Sequence, residues 1–223
     1  MSGLQAVLWD MDGTLVDTEP AWIAAEHELA ARHGASWSDE HALNLVGQDL
    51  LSSGRYIRDH MDLPLEPEQV VAALLDQVVE SVREGVQFRP GAVQLLAEQR
   101  RAGVPAVLVT MSYRRLAEAV VTSLPDGTFA ALVVGDEVAN GKPHPEAYLT
   151  AARLLGADPR RCVAIEDSAT GAASAQAAGC HVLAVPNHVP VPEAENRTVL
   201  ATLEGVRLAD LEAMLLSAGS RAR

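Results

Sequence analysis

Two carboxylates stand two residues apart in Asp10-Met11-Asp12-Gly13-Thr14-Leu15-Val16-Asp17, at the end of the apolar run Ala6-Val7-Leu8-Trp9. An unbroken apolar run stopped by a glycine turn reads as a strand buried on both faces. Residues i and i+2 of an extended chain project to the same side, so the spacing aims Asp10 and Asp12 together beyond the strand end. Two anions about 4 Å apart repel by roughly 4 kcal/mol at an effective dielectric near 20, so a cation or a shared proton is expected between them. A second clue is the lysine count. Of the 17 basic residues 16 are arginines, and the single lysine, Lys142, sits in Asn140-Gly141-Lys142-Pro143-His144-Pro145. An ammonium and a guanidinium fork are not interchangeable, so this position suits a point charge; a solvated loop lysine between a glycine and two prolines is the plainer alternative.

The elements that must position these groups follow from the alternation of the chain. From Phe88 onward short β-type runs (residues 104–110, 131–135, 162–166 and 181–185) alternate with helical patterns (90–102, 113–124, 145–155 and 170–178). That is the signature of a doubly wound parallel sheet, an α/β fold with helices on both faces. Residues 18–86 break the rhythm. One helix starts at Pro20 and stops at Gly34; another starts at Pro67 and carries Val70, Val71, Leu74, Leu75, Val78 and Val82 as one apolar stripe. The expected division is therefore an α/β core of residues 1–17 and 87–223, with a helical unit of residues 18–86 inserted after the first strand. Both connections fall close to the acidic pair, where an insert is placed to act as a lid.

In open α/β sheets ligands bind beyond the carboxyl ends of the strands. The first strand ends at Asp10, the second at Thr110-Met111-Ser112 and the fourth at Glu166-Asp167-Ser168. Thr110 is expected to face the site and Ser112 to cap the helix that follows. The EF-hand reading of residues 10–21 fails, because its sixth and twelfth places hold Leu15 and Ala21 instead of Gly and Glu. The seven histidines show no metal-ligand spacing, and Cys162 and Cys180 read as reduced buried thiols.

Taken together, Asp10-x-Asp12-Gly13-Thr14, Thr110, Lys142-Pro143 and Glu166-Asp167 resemble the four motifs of the haloacid dehalogenase superfamily, in order. The insert after the first motif resembles the helical cap of its β-phosphoglucomutase-like branch, and the likeness covers nearly the whole chain. The resemblance implies that Asp10 is the nucleophile, forming an aspartyl-phosphate, and Asp12 the general acid and base. It implies Mg²⁺ held by Asp10, Asp12 through its backbone carbonyl, Asp167 and, nearby, Glu166. Thr110, Met111 through its backbone N–H, and Lys142 would grip the phosphate. Glu19, Trp22, Gly47 and Gln48 are the cap residues expected to meet substrate, with Ser52 and Arg55 as further candidates. Asp12 argues against carbon–halogen chemistry, because dehalogenase relatives lack that acid. Trp22 and Gly47-Gln48-Asp49 stand where mutase relatives carry a His and an Arg, so hydrolysis of a sugar or polyol phosphate is expected ahead of a mutase. A phosphate-binding regulator without turnover is a further alternative.

Composition bounds the setting. The chain has 223 residues, 48% of them hydrophobic, and a formal charge of −13. Such an acidic balance argues against nucleic acid and anionic membranes, whose phosphates call for clustered Lys and Arg. No apolar run approaches the roughly 20 residues needed to cross a bilayer, and no signal-like segment opens the chain, so a cytoplasmic protein is expected. The expected partner is a small phosphorylated metabolite, and the expected assembly a monomer or weak dimer.

Overall fold

The computed structural model describes residues 3–45 and 48–221. Six strands form one parallel sheet: β1 (Ala6–Trp9), β2 (Ala106–Val109), β3 (Ala131–Val133), β4 (Cys162–Glu166), β5 (His181–Ala184) and β6 (Arg197–Val199), in the spatial order β3-β2-β1-β4-β5-β6. Nine helices are described: α1 (Glu19–His33), α2 (Asp39–Leu43), α3 (Leu50–Met61), α4 (Pro67–Glu84), α5 (Ala92–Arg101), α6 (Arg114–Val121), α7 (Glu146–Leu154), α8 (Ala169–Ala177) and α9 (Leu208–Arg221).

Side chains alternate across the strands and build two cores. Val7 and Trp9 of β1, Leu108 of β2 and Ile165 of β4 share one face with Leu95 of α5 and Leu116 of α6. Ala6, Leu8, Val107 and Ala164 point the other way, onto Ala147 and Ala151 of α7 and Ala172 and Ala175 of α8. These alanines let α7 and α8 lie close to the sheet, so the loops at their N-terminal ends reach the strand tips. Trp9 is wholly buried and its indole N–H donates to Gln99 Oε1 at 3.0 Å, which satisfies the one polar atom it brings inside.

The doubly wound sheet expected from the alternation is present, and each expected strand falls within its run. Two elements go beyond the expectation. β6 pairs with β5 at the sheet edge, Val182 opposite Arg197. α9 buries Leu208 and Leu211.

Between β1 and α5 the chain forms α1–α4, with no strand among the described residues. It leaves and returns on paired connectors: Asp17 N–H donates to the Gln87 carbonyl at 2.8 Å, Arg89 N–H to the Leu15 carbonyl at 2.9 Å, and Val16 and Phe88 form an antiparallel bridge. Helix α4 packs on α6, and Ile57, Val70 and Val78 join the same core as Trp9. Among the described residues no helix is long and apolar enough to cross a membrane.

Candidate active site

The strand order fixes where the site lies. The chain runs β1 to β2 to β3 in one direction, then returns to place β4 on the other side of β1, so the β1 tip is the switch point of the sheet. Trp9 pairs with Leu108 on one side and Ile165 on the other. Asp10, Thr110 and Glu166-Asp167 therefore emerge at one edge, side by side. The Asp10 N–H still donates to the Ile165 carbonyl at 3.0 Å, which ties the carboxylate's backbone to the sheet.

Lys142 comes from the loop between β3 and α7 and ends buried at the centre of this edge, not solvated. Its Nζ donates to Asp10 Oδ1 at 2.7 Å, Glu166 Oε1 at 2.6 Å and the Val109 carbonyl at 3.0 Å, with a side-chain exposure of 3%. Three acceptors satisfy the three donors of an ammonium, the geometry for which a lysine differs from an arginine. Burial opposes the charge of Lys142, but Asp10 and Glu166 overcome it and hold the ammonium pKa above its ordinary value. Glu166 is fully buried; it also accepts from the Tyr148 hydroxyl at 2.6 Å and, on Oε2, from the Ser168 hydroxyl at 3.2 Å. Its Oε1 thus holds the lysine while Ser168 holds its Oε2.

Asp12 adds to the rise of the Asp10 carboxyl, in the direction that the paired spacing predicts, though other groups weigh more. Burial pushes the Asp10 carboxyl up to about 7, Glu166 adds to the rise and Lys142 opposes it, while Asp12 contributes least. The reason is local. The strand stops at Trp9 and the chain turns, with the N–H groups of Thr14, Leu15 and Val16 all donating to the Met11 carbonyl. Asp12 is carried into a cradle of hydroxyls: Thr18 donates to its Oδ1 at 2.6 Å, Thr110 and Ser112 to its Oδ2 at 3.0 and 2.8 Å. Ser112 is therefore a site residue and not a helix cap; the capping position of α6 belongs to Tyr113. Thr110, expected to grip phosphate, orients Asp12 and accepts from the Ser112 N–H at 3.0 Å. Met111 is buried beneath Lys142, whose backbone N–H contacts its sulfur at 3.2 Å.

The carboxylates fit a divalent cation. Among the described residues, ligand oxygens of Asp10, Glu166 and Asp167 lie within 4.8 Å of one another, and one ammonium does not balance them. Asp10 Oδ2 is buried without a hydrogen-bond partner. Burial, then Asp10 and Glu166, push the Asp167 carboxyl far above the usual range. An all-oxygen donor set that is strained until a cation enters suits a hard metal. The Asp12 carboxylate lies outside this group, turned to its three hydroxyls.

Two glycines admit these side chains. Gly13, at φ +83°, has Asp167 Oδ2 2.1 Å from where a Cβ would stand. Gly171 in α8 leaves the space that Glu166 fills, its Oε1 1.9 Å from a built Cβ. Glu166 cannot swing away without dropping Lys142, Tyr148 or Ser168. Gly171→Ala is therefore expected to lower kcat about 10- to 100-fold and stability by about 1–3 kcal/mol, the cost of overpacking, measured by turnover and thermal melting.

Beyond Asp10 and Asp12 opens a cavity lined by residues of α1, α3 and α4 as well as by the strand-end loops. Glu19, Trp22 and Gln48 line it as expected; Gly47 lies outside the described residues. Ser52 and Arg55 do not line it, whereas Glu26 and Ser53 do. Glu26 had no sequence signal beyond sitting four residues after Trp22 on the same helix face.

A buried carboxylate clamped by one lysine at a switch point, beside a hydroxyl-cradled acid and a cation-seeking pair, defines an enzyme that works on an anionic group. The chain belongs to the haloacid dehalogenase-like hydrolases, whose family model matches residues 4–179. Hexitol phosphatase A of Escherichia coli (strain K12) is 35% identical over 205 residues, 89% of this chain and 91% of that protein. A CbbY variant from Rhodobacter sphaeroides, crystallised with xylulose-(1,5)bisphosphate, is 29% identical with a TM-score of 0.83, covering 93% of this chain and 99% of the other. β-Phosphoglucomutase from Clostridium difficile has a TM-score of 0.84 at 20% identity over 99% and 100% of the two chains, a likeness of fold alone.

Proposed function

We propose that this enzyme hydrolyses a small phosphate monoester, a sugar or polyol phosphate, through an aspartyl-phosphate on Asp10. The observation that carries this reading is the state of Asp10: Lys142 holds Oδ1, and Oδ2 has no hydrogen-bond partner. One Asp10 oxygen attacks phosphorus while the other stays with the positive charges of the site, and the bond from phosphorus to the alcohol oxygen breaks. Asp12 gives a proton to that departing oxygen, then takes one from a water that attacks the phosphoryl group and frees Asp10. Thr18, Thr110 and Ser112 keep Asp12 aimed during both transfers. The phosphate oxygens meet the backbone N–H groups around Met111 and Asp12, and Lys142, its donors held by Asp10, Glu166 and the Val109 carbonyl, contributes through its charge. Mg²⁺ held by Asp10, Asp167 and the Asp12 carbonyl would supply positive charge that lets two anions approach. Glu166 stays on Lys142.

In this reading residues 1–17 and 87–223 are the catalytic core and residues 18–86 the cap, which shields the reacting phosphate from bulk water. The resemblance of Asp17-Thr18-Glu19-Pro20 to phosphatase relatives and the relation to a hexitol phosphatase support hydrolysis. The partner is a small phosphorylated metabolite, and the enzyme acts as a monomer or weak dimer in the cytoplasm. Phosphate release from sorbitol 6-phosphate, glucose 6-phosphate and p-nitrophenyl phosphate tests the reading. Release is expected with Mg²⁺, to vanish with EDTA and to return when Mg²⁺ is restored. Release that persists undiminished in EDTA would sink the metal assignment, and binding without release would favour a regulator.

A further inference from the structure

Two acids stand in a part of the cavity lining that is otherwise largely apolar, beside Leu45, Ile57 and Leu74. Glu19, Trp22 and Glu26 follow one another at i, i+3 and i+7 on α1 and so line one face of it, spanning about 10 Å along the helix axis. Glu26 is only 5% exposed. It is held in place, since Trp37 Nε1 donates to its Oε2 at 2.9 Å and Trp37 is itself stacked on His41 with ring centroids 4.8 Å apart. That leaves the second oxygen for a ligand. Among the described residues lining the cavity the one cation is Lys142, and its three donors are engaged at the other end.

We propose that Glu19 and Glu26 select a substrate with a single phosphate and an uncharged, hydroxyl-bearing far end, and turn away one that carries a second phosphate. This rests on the phosphatase reading and sharpens its substrate class. A second phosphate at that depth would lose its water, find no arginine or lysine, and face two carboxylates; selectivity then arises from repulsion as much as from attraction. A hydroxyl meets the same wall without conflict. Burial pushes the Glu26 carboxyl up to about 7, and burial with the nearby Glu26, Asp12 and Asp17 pushes Glu19 to about 8. Both acids are therefore full carboxylates only above about pH 8, where they repel a second phosphate most, and nearer neutrality a hydroxyl can donate to the carboxylate and accept from the carboxyl.

The test uses matched ligands, sorbitol 6-phosphate and sorbitol 1,6-bisphosphate, with Mg²⁺. Calorimetric affinities are measured at about pH 9, where both acids are ionised, in the Asp10→Asn background, where selectivity can be read without turnover, and phosphate release is followed in parallel in the otherwise unaltered enzyme. The bisphosphate is expected to bind at least about 100-fold more weakly than the monophosphate, like-charge contact being worth several tenfold steps. Glu26→Gln keeps the shape and an acceptor for Trp37; it and Glu19→Gln are each expected to narrow the ratio about 10-fold, and the double variant more. Because the ratio is taken within each protein, a partly misfolded sample does not distort it. Equal or tighter binding of the bisphosphate, a ratio unmoved in the double variant, or no binding of either ligand overturns the proposal. Selective binding without phosphate release would uphold the selectivity and overturn the phosphatase reading instead.

Discussion

Asp10→Asn is expected to abolish phosphate release, by about 10⁴-fold or more, while the protein keeps its fold. The amide has the shape of the carboxylate, so its oxygen can still accept from Lys142, but it has no anionic oxygen with which to attack phosphorus. No phosphorylated form should be trapped by mass spectrometry after acid quench; a variant that keeps more than a few per cent of turnover would rule out covalent catalysis on this residue. The same substitution should change stability in a particular direction. Burial raises the Asp10 carboxyl from 3.8 to about 7. A carboxyl raised on folding contributes stability that is fully present below its unfolded value and is lost as pH rises through the folded one. In EDTA the unaltered protein should therefore lose roughly 2–4 kcal/mol from this group between about pH 4 and pH 8, and Asp10→Asn should lack that part of the slope. Urea melts across this range measure the difference. Parallel slopes would mean that the carboxylate is balanced without a cation, and with Mg²⁺ present the slope of the unaltered protein should flatten.

What could be read from the chain beforehand was decided by where the information sits. The strands β1, β2, β4 and β5 announce themselves because they are buried on both faces and therefore apolar throughout their middles, with only Glu166 at the end of β4 and His181 at the start of β5 as exceptions. β6 does not: Arg197, Thr198 and Val199 are only three residues on the sheet edge, not fully buried, too short to show a run or an alternation. Asp10, Asp12 and Asp167 are legible because an acid at a strand end has little structural reason to be there, and Lys142 because it is the one lysine of an arginine-using chain. Ser112 was hidden by an equally good explanation, since serine before a helix is the preferred cap. Its true partner, Asp12, is 100 positions away. Tyr148 and Glu26 were silent for a different reason. Each lies on a helix at a spacing that suits packing, and only the tertiary fold turns the Tyr148 hydroxyl onto Glu166 and Glu26 into the cavity. The haloacid dehalogenase resemblance supplied roles for strand-end residues but none for these helix faces.

Lys142 carries the second large effect, because one ammonium joins the groups that hold the site together. Lys142→Met keeps the length of the stem and removes the charge. It leaves Asp10 and Glu166 buried side by side, and Tyr148 and Ser168 alone to hold Glu166. Breaking a buried pair by deleting one partner destabilises by about 3–5 kcal/mol, because the surviving charge stays uncompensated. The loss should be largest in EDTA and smaller in Mg²⁺, where a second source of positive charge relieves the carboxylates. Turnover is expected to fall at least about 1,000-fold, since Asp10 loses its orientation and the phosphate loses a positive contact. Lys142→Arg separates charge from geometry. The guanidinium is planar and larger, the slot is 3% exposed, and the Tyr148 ring lies 5.1 Å from the ammonium. A flat fork cannot serve Asp10, Glu166 and the Val109 carbonyl at once, so turnover should still drop about 100-fold despite the retained charge. Steady-state kinetics and melting of both variants decide the matter: an arginine enzyme with nearly unaltered kcat would show that any cation suffices and that the single lysine of this arginine-using chain is accidental.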